Sequence, residues 1–424
     1  DEISTSEANG FVPIDFLASD VAFLQYTSGS TTEPKGVKVT HGSILANSQA
    51  IARLGNHSEE SIAVSWLPCY HDMGLIGGIL APLFTGFVGN LMSPIAFLKK
   101  PERWLRAISR LRGTTSAFPN FALDLCVRKV PEECLAQLDL SSWEIAWNGA
   151  ETVRSGSLER FYQRFSRCGF RREAFLPVYG LAEATLIVTG ERDHPQTTTR
   201  TFDRSALGKK EVRAAAAGTA DAATLVGCGR AISGHEVIIA HPETCRRAAS
   251  DEVGEIWVRG PSVAAGYWRR SEESEAAFAA VLADTGEGPF LRTGDLGFLV
   301  DGQLFVAGRR KDLIVIRGAN YYPQDIEEAV ERAHQTIRAG AVAAVTLDSG
   351  SEEGLGLLIE VRDDLMQEAL KEIVLRVRET VATGFGIVPR RITLLPMGSL
   401  LKTSSGKIQR AANRDALAQG NFPS

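Results

Sequence analysis

The sequence predicts an α/β chain in two parts, a large multi-sheet domain over residues 1–310 and a small α+β domain over residues 311–424. Two observations predict this. Apolar runs of strand length alternate with helical patterns through the first part, as layered sheets and helices require. Then a charged turn, "GRRKDLIVIRG", opens a compact set of strand and helix patterns large enough for its own core.

The strand runs come in order as "VAFLQY", "IAVSWL", "TSAFP", "EIAWNGAE", "AFLPVYG", "EVIIA", "EIWVRG" and "QLFVAG". Between them, "PERWLRAISRLR" predicts a helix with Pro101 in its first turn and Trp104, Leu105, Ile108 and Leu111 on one face. "GSLERFYQRFSRCGF" places Leu158, Phe161, Tyr162 and Phe165 at helical spacing. Met73 to Leu98 carries no charge, but glycines and prolines interrupt it. It reads as a short buried helix followed by a buried strand, with no membrane span. Residues 193–223 are polar and rich in Ala and Gly, and are expected as a surface insertion outside the core. The last part reads as helix "PQDIEEAVERAHQ", strands "GAVAAVTL" and "GLLIEV", helix "DLMQEALKEIVLRVRETVA", strand "RRITLLP" and the loop "GSLLKTSSGKIQR".

Composition narrows the function classes. Of 424 residues, 44% are hydrophobic and 23% charged, an ordinary globular balance. A net charge of -5 offers no basic excess for nucleic acid. Six cysteines form no CxxC and no zinc spacing, which suits reduced thiols in a cytoplasmic protein.

Seven segments could carry chemistry. In "YTSGSTTEPKG", Thr27 to Gly36 hold five hydroxyls, and Lys35 closes the set. Hydroxyls and bare N–H groups aimed at one point suit phosphate oxygens, though a polar surface turn is an equal reading. It is not a Walker A loop, because Pro34 precedes Lys35 and Gly36 follows it. In "YGLAE", the Tyr179 ring and bare Gly180 could stack a purine and Glu183 could hold Mg²⁺, or Glu183 could be a solvated helix residue. "WNGAE" brings Gly149, Ala150 and Glu151 to the carboxyl edge of a sheet, or makes a plain strand-to-helix turn. Asp295 in "LRTGDLG" could accept ribose hydroxyls or sit in a hairpin turn. Arg309, Lys311 and Asp312 could form a hinge with a ligand-facing arginine, or a solvated linker. Lys407 in "LKTSSGKIQR" could reach a site or stay solvated. His71, in "PCYHDMG", could be a base, a gate or a core histidine.

Taken in order, "YTSGSTTEPKG", "NGAE", "YGLAE", "TGD", "GRRKD" and "TSSGK" resemble the adenylate-forming superfamily of acyl-CoA synthetases, adenylation domains and luciferases, over about Val21 to Arg410. "WLPCYHDMGLIGGIL", "YGLAEATL", "GPSVAAGYW", "GPFLRTGDLGFL" and "YYPQDIE", with the polar segment near Thr201 to Ala223, resemble its fatty acyl-AMP ligases.

The resemblance implies an enzyme that joins a fatty acid to AMP from ATP and passes the acyl group to an acyl carrier protein. It implies that Thr27, Ser28, Gly29, Ser30, Thr31 and Lys35 hold the β and γ phosphates, and that Glu183 holds Mg²⁺. Gly149, Ala150, Glu151, Tyr179 and Gly180 would line the adenine. Asp295 and Arg309 would hold the ribose. Lys407 would bridge the carboxylate and α-phosphate, carried by a mobile small domain that pivots at Lys311 and Asp312. His71, Asp72 and Met73 would gate the acyl site, and the uncharged run after them would wall it. A monomer is expected.

Departures from the family pattern are also readable. Ala182 and Val315 stand where coenzyme A-using relatives carry Thr and Lys, which favours a carrier protein as acceptor. Leu401 and Thr152 replace prolines. Relatives also carry a structural block ahead of the opening loop. With the chain starting at Asp1, bare sheet edges and core faces are expected. The alternatives are an acyl-CoA ligase or an inactive, truncated adenylate-binding module.

Overall fold

The computed structural model describes residues 14–27, 34–192, 197–216, 218, 219, 221–348, 353–362, 365–403 and 406–422. The chain opens with an antiparallel pair, β1 (Val21–Tyr26) and β2 (Gly36–Thr40). The loop between them is the hydroxyl-rich stretch. A helix, His41–Gly55, follows; the Thr40 hydroxyl accepts from the Ser43 amide and caps it.

The central sheet is parallel. Its strands are β3 (Ile62–Ser65), β4 (Val88–Leu91), β5 (Thr115–Phe118), β6 (Ile145–Asn148) and β7 (Phe175–Pro177), in the order β4-β3-β5-β6-β7. Side chains alternate across it, as a pleated strand dictates. On β6, Ala146 faces one core, with Trp104, Trp143, Phe118 and Phe161, beneath helices Glu102–Leu111, Phe121–Lys129 and Ser155–Phe165. Ile145 and Trp147 face a second core, with Ile51, Ile76 and Ala81, beneath the segments on the other side. Both faces are covered, which fits the near-continuous apolar strands.

An antiparallel four-stranded sheet follows, with strands Glu236–Ala240, Gly254–Arg259, Leu291–Val300 and Gln303–Arg309 in that order. In the last part, strands Val342–Asp348, Glu353–Val361 and Arg391–Pro396 form one sheet. Helices Pro323–Ala333 and Gln367–Phe385 pack on it through Ile326, Val330, Ile373, Val377 and Val381.

Three expectations need correction. The uncharged run is not a buried helix and a buried strand. It is a π-helical stretch Met73–Leu80, a short helix Ala81–Thr85, β4 and a further helix Pro94–Lys99. β4 is the sheet edge and mostly exposed, with Val88 59% and Leu91 54% accessible. Hydropathy reports a lack of charge and cannot tell an edge strand from a central one.

The insertion near 193–223 is not wholly superficial. Strands Thr199–Asp203 and Ala222–Val226 pair, and Phe202, Leu207, Ala223 and Leu225 are buried against Phe298 and Phe305. Few apolar residues suffice when a hairpin lies flat on an existing sheet. Finally, Pro101 precedes its helix, which begins at Glu102. No helix of the described residues is long and apolar enough to cross a membrane.

Candidate active site

One cavity of about 780 Å³ lies between the central sheet, the antiparallel sheet and the last hundred or so residues. The sequence motifs line its charged end. Strand register explains the first pairing. Asp295 and Arg309 are opposed on adjacent antiparallel strands, and Arg309 Nε donates to Asp295 Oδ1 at 3.0 Å. The Tyr179 hydroxyl donates to Asp295 Oδ2 at 2.8 Å. Burial, then the Asp295 charge, pushes the Tyr179 phenol far above its usual range, so it stays a donor. A carboxylate has about four acceptor positions. Asp295 therefore keeps capacity for two further hydroxyls.

Strain marks two of the motifs. Ala150 has φ of 67° and Thr185 has φ of 71°, both outside the range L-residues favour. The Ala150 turn sends Glu151 back toward the helix Phe121–Lys129, where its Oε1 accepts from the Phe121 amide at 2.8 Å. Gly180 permits a close approach: a Cβ there would meet the Leu186 carbonyl oxygen at 1.9 Å.

Lys407 comes from the far end of the chain. Its loop is closed by Thr403, whose amide donates to the Lys407 carbonyl at 2.8 Å and whose hydroxyl accepts from the Lys407 amide at 3.1 Å. Gly406 lies on the Phe121 ring, where a Cβ would come within 3.0 Å. Burial lowers the Lys407 pKa, while Asp72 and Glu151 work against that fall. Burial also acts to raise the Asp72 carboxyl, but His71 and Lys407 hold it below its usual value. His71 Nδ1 sits 2.6 Å from Asp72 Oδ1, so His71 is partnered, not a free base. Met73 is buried behind the pair.

At the opening loop, the Thr27 amide donates to the Lys35 carbonyl at 3.0 Å and joins the two ends. Ser28, Gly29, Ser30 and Thr31 lie outside the described residues. Lys35 pairs with Glu273, and its ammonium lies 4.7 Å from the centre of the Tyr267 ring. The Tyr267 hydroxyl donates to Glu183 Oε1 at 2.9 Å. Glu183 is half-buried in a single turn of 3₁₀ helix, not on a solvated helix, and burial raises its pKa.

Contacts across the two parts close the cavity. Arg154 Nη1 meets Glu331 Oε2 at 2.8 Å. Arg204 Nη1 donates to the Gly384 carbonyl at 3.0 Å. Within residues 311–424, Asp312 is bound by Arg410 at 2.9 Å, and Arg410 also reaches Glu327 at 2.7 Å. Lys311 lines the same cavity.

Sequence reasoning missed Tyr267, Glu273, Arg154 and Glu331. Tyr267 lies within "GPSVAAGYW", which was readable as a segment but gave no role. Arg154 and Glu331 are 177 positions apart, and nothing local couples them.

Away from the charges, the cavity runs along one face of the central sheet. Ala63, Ser65, Thr115 and Ala117 form its floor, and Gly77, Gly78 and Ala81 form its roof. The space exists because these side chains are small. A Cβ on Gly78 would come 3.0 Å from Ser65 Oγ.

Residues 4–268 match the family model described as AMP-binding enzyme, and residues 311–423 match one described as the AMP domain of Disco-interacting protein 2-like proteins. The chain is 44% identical to the medium-chain-fatty-acid--[acyl-carrier-protein] ligase JamA of Moorena producens, over 100% of this chain and 72% of that protein. It is 40% identical to TtuA of Teredinibacter turnerae, a ligase of the same description, over 94% of this chain and 63% of that one. Among solved structures, one from studies of fatty acyl-adenylate ligases of E. coli and L. pneumophila superposes with a TM-score of 0.86 at 37% identity, over 95% of this chain and 70% of that one. The L. pneumophila enzyme in complex with acyl adenylate and pyrophosphate gives 0.73 at 42% identity, over 98% and 73%.

Proposed function

This chain belongs to the AMP-binding enzyme family, on its fatty acyl-AMP ligase branch, and we propose that it activates a fatty acid as acyl-AMP for transfer to an acyl carrier protein. The carrying observation is the cavity itself. One end gathers Lys407, Asp295, Arg309 and Glu151, and the stretch along the sheet face is lined by the small uncharged residues Ala63, Ser65, Thr115, Ala117, Gly77, Gly78 and Ala81.

The reaction joins a carboxylate oxygen to the α-phosphorus of ATP and releases pyrophosphate. The acid is already ionised at neutral pH, so no general base is needed. The pairing of His71 with Asp72 agrees with that. The barrier lies in bringing two anions together, and the protein's work is charge and position. Asp295, fixed by Tyr179 and Arg309, would take the ribose hydroxyls. Gly149, Ala150, Glu151, Tyr179 and Gly180 would bound the base. Thr27 and Lys35 would face the departing phosphates, Lys35 exchanging Glu273 for them.

Glu183 would hold Mg²⁺. Its carboxylate fits an ion that takes its other ligands from phosphates and water. Bound there, the ion would supply positive charge against the phosphates. Lys407 would stand between the carboxylate and the α-phosphate; its field already contains Asp72 and Glu151, which would keep it charged. Lys311 and Asp312 would serve as the pivot that brings it in, and residues 1–310 and 311–424 would be the parts that move.

Ala182 supports a carrier-protein acceptor. It is buried among Val37, Val39, Ala264 and Tyr267, with no hydroxyl to offer a thiol substrate. Labelled ATP with a ladder of fatty acids, with and without coenzyme A, tests the whole reading. Acyl-AMP should form in both arms. Ready conversion to acyl-CoA would overturn the acceptor assignment, and no acyl-AMP with any acid would overturn the function.

A further inference from the structure

The channel is not lined by hydrocarbon alone. Its lining includes the imidazole of His57, which packs against the rings of Phe87 at 5.0 Å and Trp147 at 5.9 Å. His57 and Phe87 precede β3 and β4, so this part of the lining stands at the amino-terminal edge of the sheet. The motifs Gly149–Glu151 stand at the opposite edge. A four-residue strand separates the two ends by about 13 Å.

The place is built for a ring. Gly55 ends the helix beneath it, and a Cβ there would lie 2.4 Å from His57 Nε2. The Gly55 carbonyl is taken by Arg192 Nη1 at 2.6 Å, which fixes the turn. Trp147 Nε1 is itself satisfied by the Thr115 hydroxyl at 2.9 Å. The His57 ring nitrogens, by contrast, have no hydrogen-bond partner among the described residues. The ring is part-buried, so its nitrogens are open to a polar group that enters the channel, and such a group would gain a hydrogen bond there.

We propose that His57 forms a polar subsite for the distal end of the acid, and that the preferred substrate class is a carboxylic acid bearing a terminal hydroxyl. A hydroxyl can both donate and accept, as a neutral imidazole can. Burial and the Arg192 charge hold the ring pKa down to about 4, so it is neutral at physiological pH. Arg192 also disfavours a terminal ammonium. The flanking rings of Phe87 and Trp147 disfavour a terminal carboxylate, which would lose its hydration there.

This inference rests on the fatty-acid reading above, and the experiment separates the two. Acyl-AMP formation is measured for plain acids, terminal hydroxy acids and dicarboxylic acids of matched length. The ratio of hydroxy to plain acid is read within each protein: wild type, His57→Phe and Gly55→Ala. At the length that spans the channel, the wild-type ratio should exceed unity by about three- to tenfold, the worth of one net hydrogen bond. It should fall to unity in His57→Phe, which keeps a ring but no donor, and in Gly55→Ala, which displaces the imidazole. Turnover of plain acids in each variant shows that the protein is folded. No hydroxyl preference at any length, a preference that survives His57→Phe, or a stronger preference for the dicarboxylic acid overturns the subsite and leaves the fatty-acid reading standing. No acyl-AMP from any acid overturns both.

Discussion

The two ends of the cavity are built by opposite means. The charged end collects Lys407, Asp295, Arg309, Glu151, Asp72 and Glu183 from separate segments, and each carboxylate is held by a neighbour. The acyl end is made by omission. Gly77, Gly78, Ala81, Ala63 and Ser65 leave room, and the imidazole of His57 stands in the lining with Ile51, Phe87 and Trp147. Chemistry here is added by side chains, while capacity is added by their absence. The two should therefore break in different ways.

The largest effect should come at the charged end. Lys407→Ala should keep ATP binding but lower acyl-AMP formation by about 10²–10³, the usual loss when one charge-stabilising donor is removed. Pyrophosphate exchange reads it, and an unchanged rate would refute the role. Filling the other end should leave exchange with short acids intact. Gly78→Val would press on Ser65 and narrow the channel. The longest accepted acids should lose roughly 10- to 200-fold in kcat/KM, the scale of hydrocarbon discrimination in a pocket. A uniform loss at all lengths would mean that Gly78 serves only the fold.

Smaller effects should follow from the wall between the parts. Glu331→Gln leaves Arg154 without its carboxylate, so adenylation should slow by about tenfold, on the scale of a hydrogen bond to a charged group. Faster limited proteolysis between the two parts should accompany it. The smallest effect is on stability against pH. Folding lowers the His57 pKa from 6.5 to about 4. Stability is then full above pH 6.5 and is lost as pH falls toward 4, since the unfolded chain takes up the proton first. Urea unfolding should show a slope of roughly 1 kcal/mol per pH unit in that window. His57→Phe should flatten it.

The same contrast explains what the sequence revealed. Lys35, Asp295, Arg309 and Lys407 belong to short segments whose order is distinctive, so the charged end was legible in the sequence. The channel was legible only as an uncharged run, and its β4 proved to be an exposed edge. His57 gave no signal, because "GNHSEE" resembles any polar turn; only the fold brings Phe87 and Trp147 against it. The insertion was read as surface because its buried side chains, Phe202, Ala206, Leu207 and Ala223 among them, are too sparse to form a period. Pairings such as Arg154 with Glu331 depend on how two units meet, and no local pattern records that.

Arg410 lies three residues beyond Lys407 and joins Asp312 to Glu327, 98 and 83 positions away along the chain. The lysine's loop and the proposed pivot are thus riveted together at one guanidinium. A rotation at the pivot that preserves this joint works as a crank, turning a small change of backbone angle into the lysine's full travel. Arg410→Ala should then uncouple the two motions, leaving Lys407 intact but badly timed.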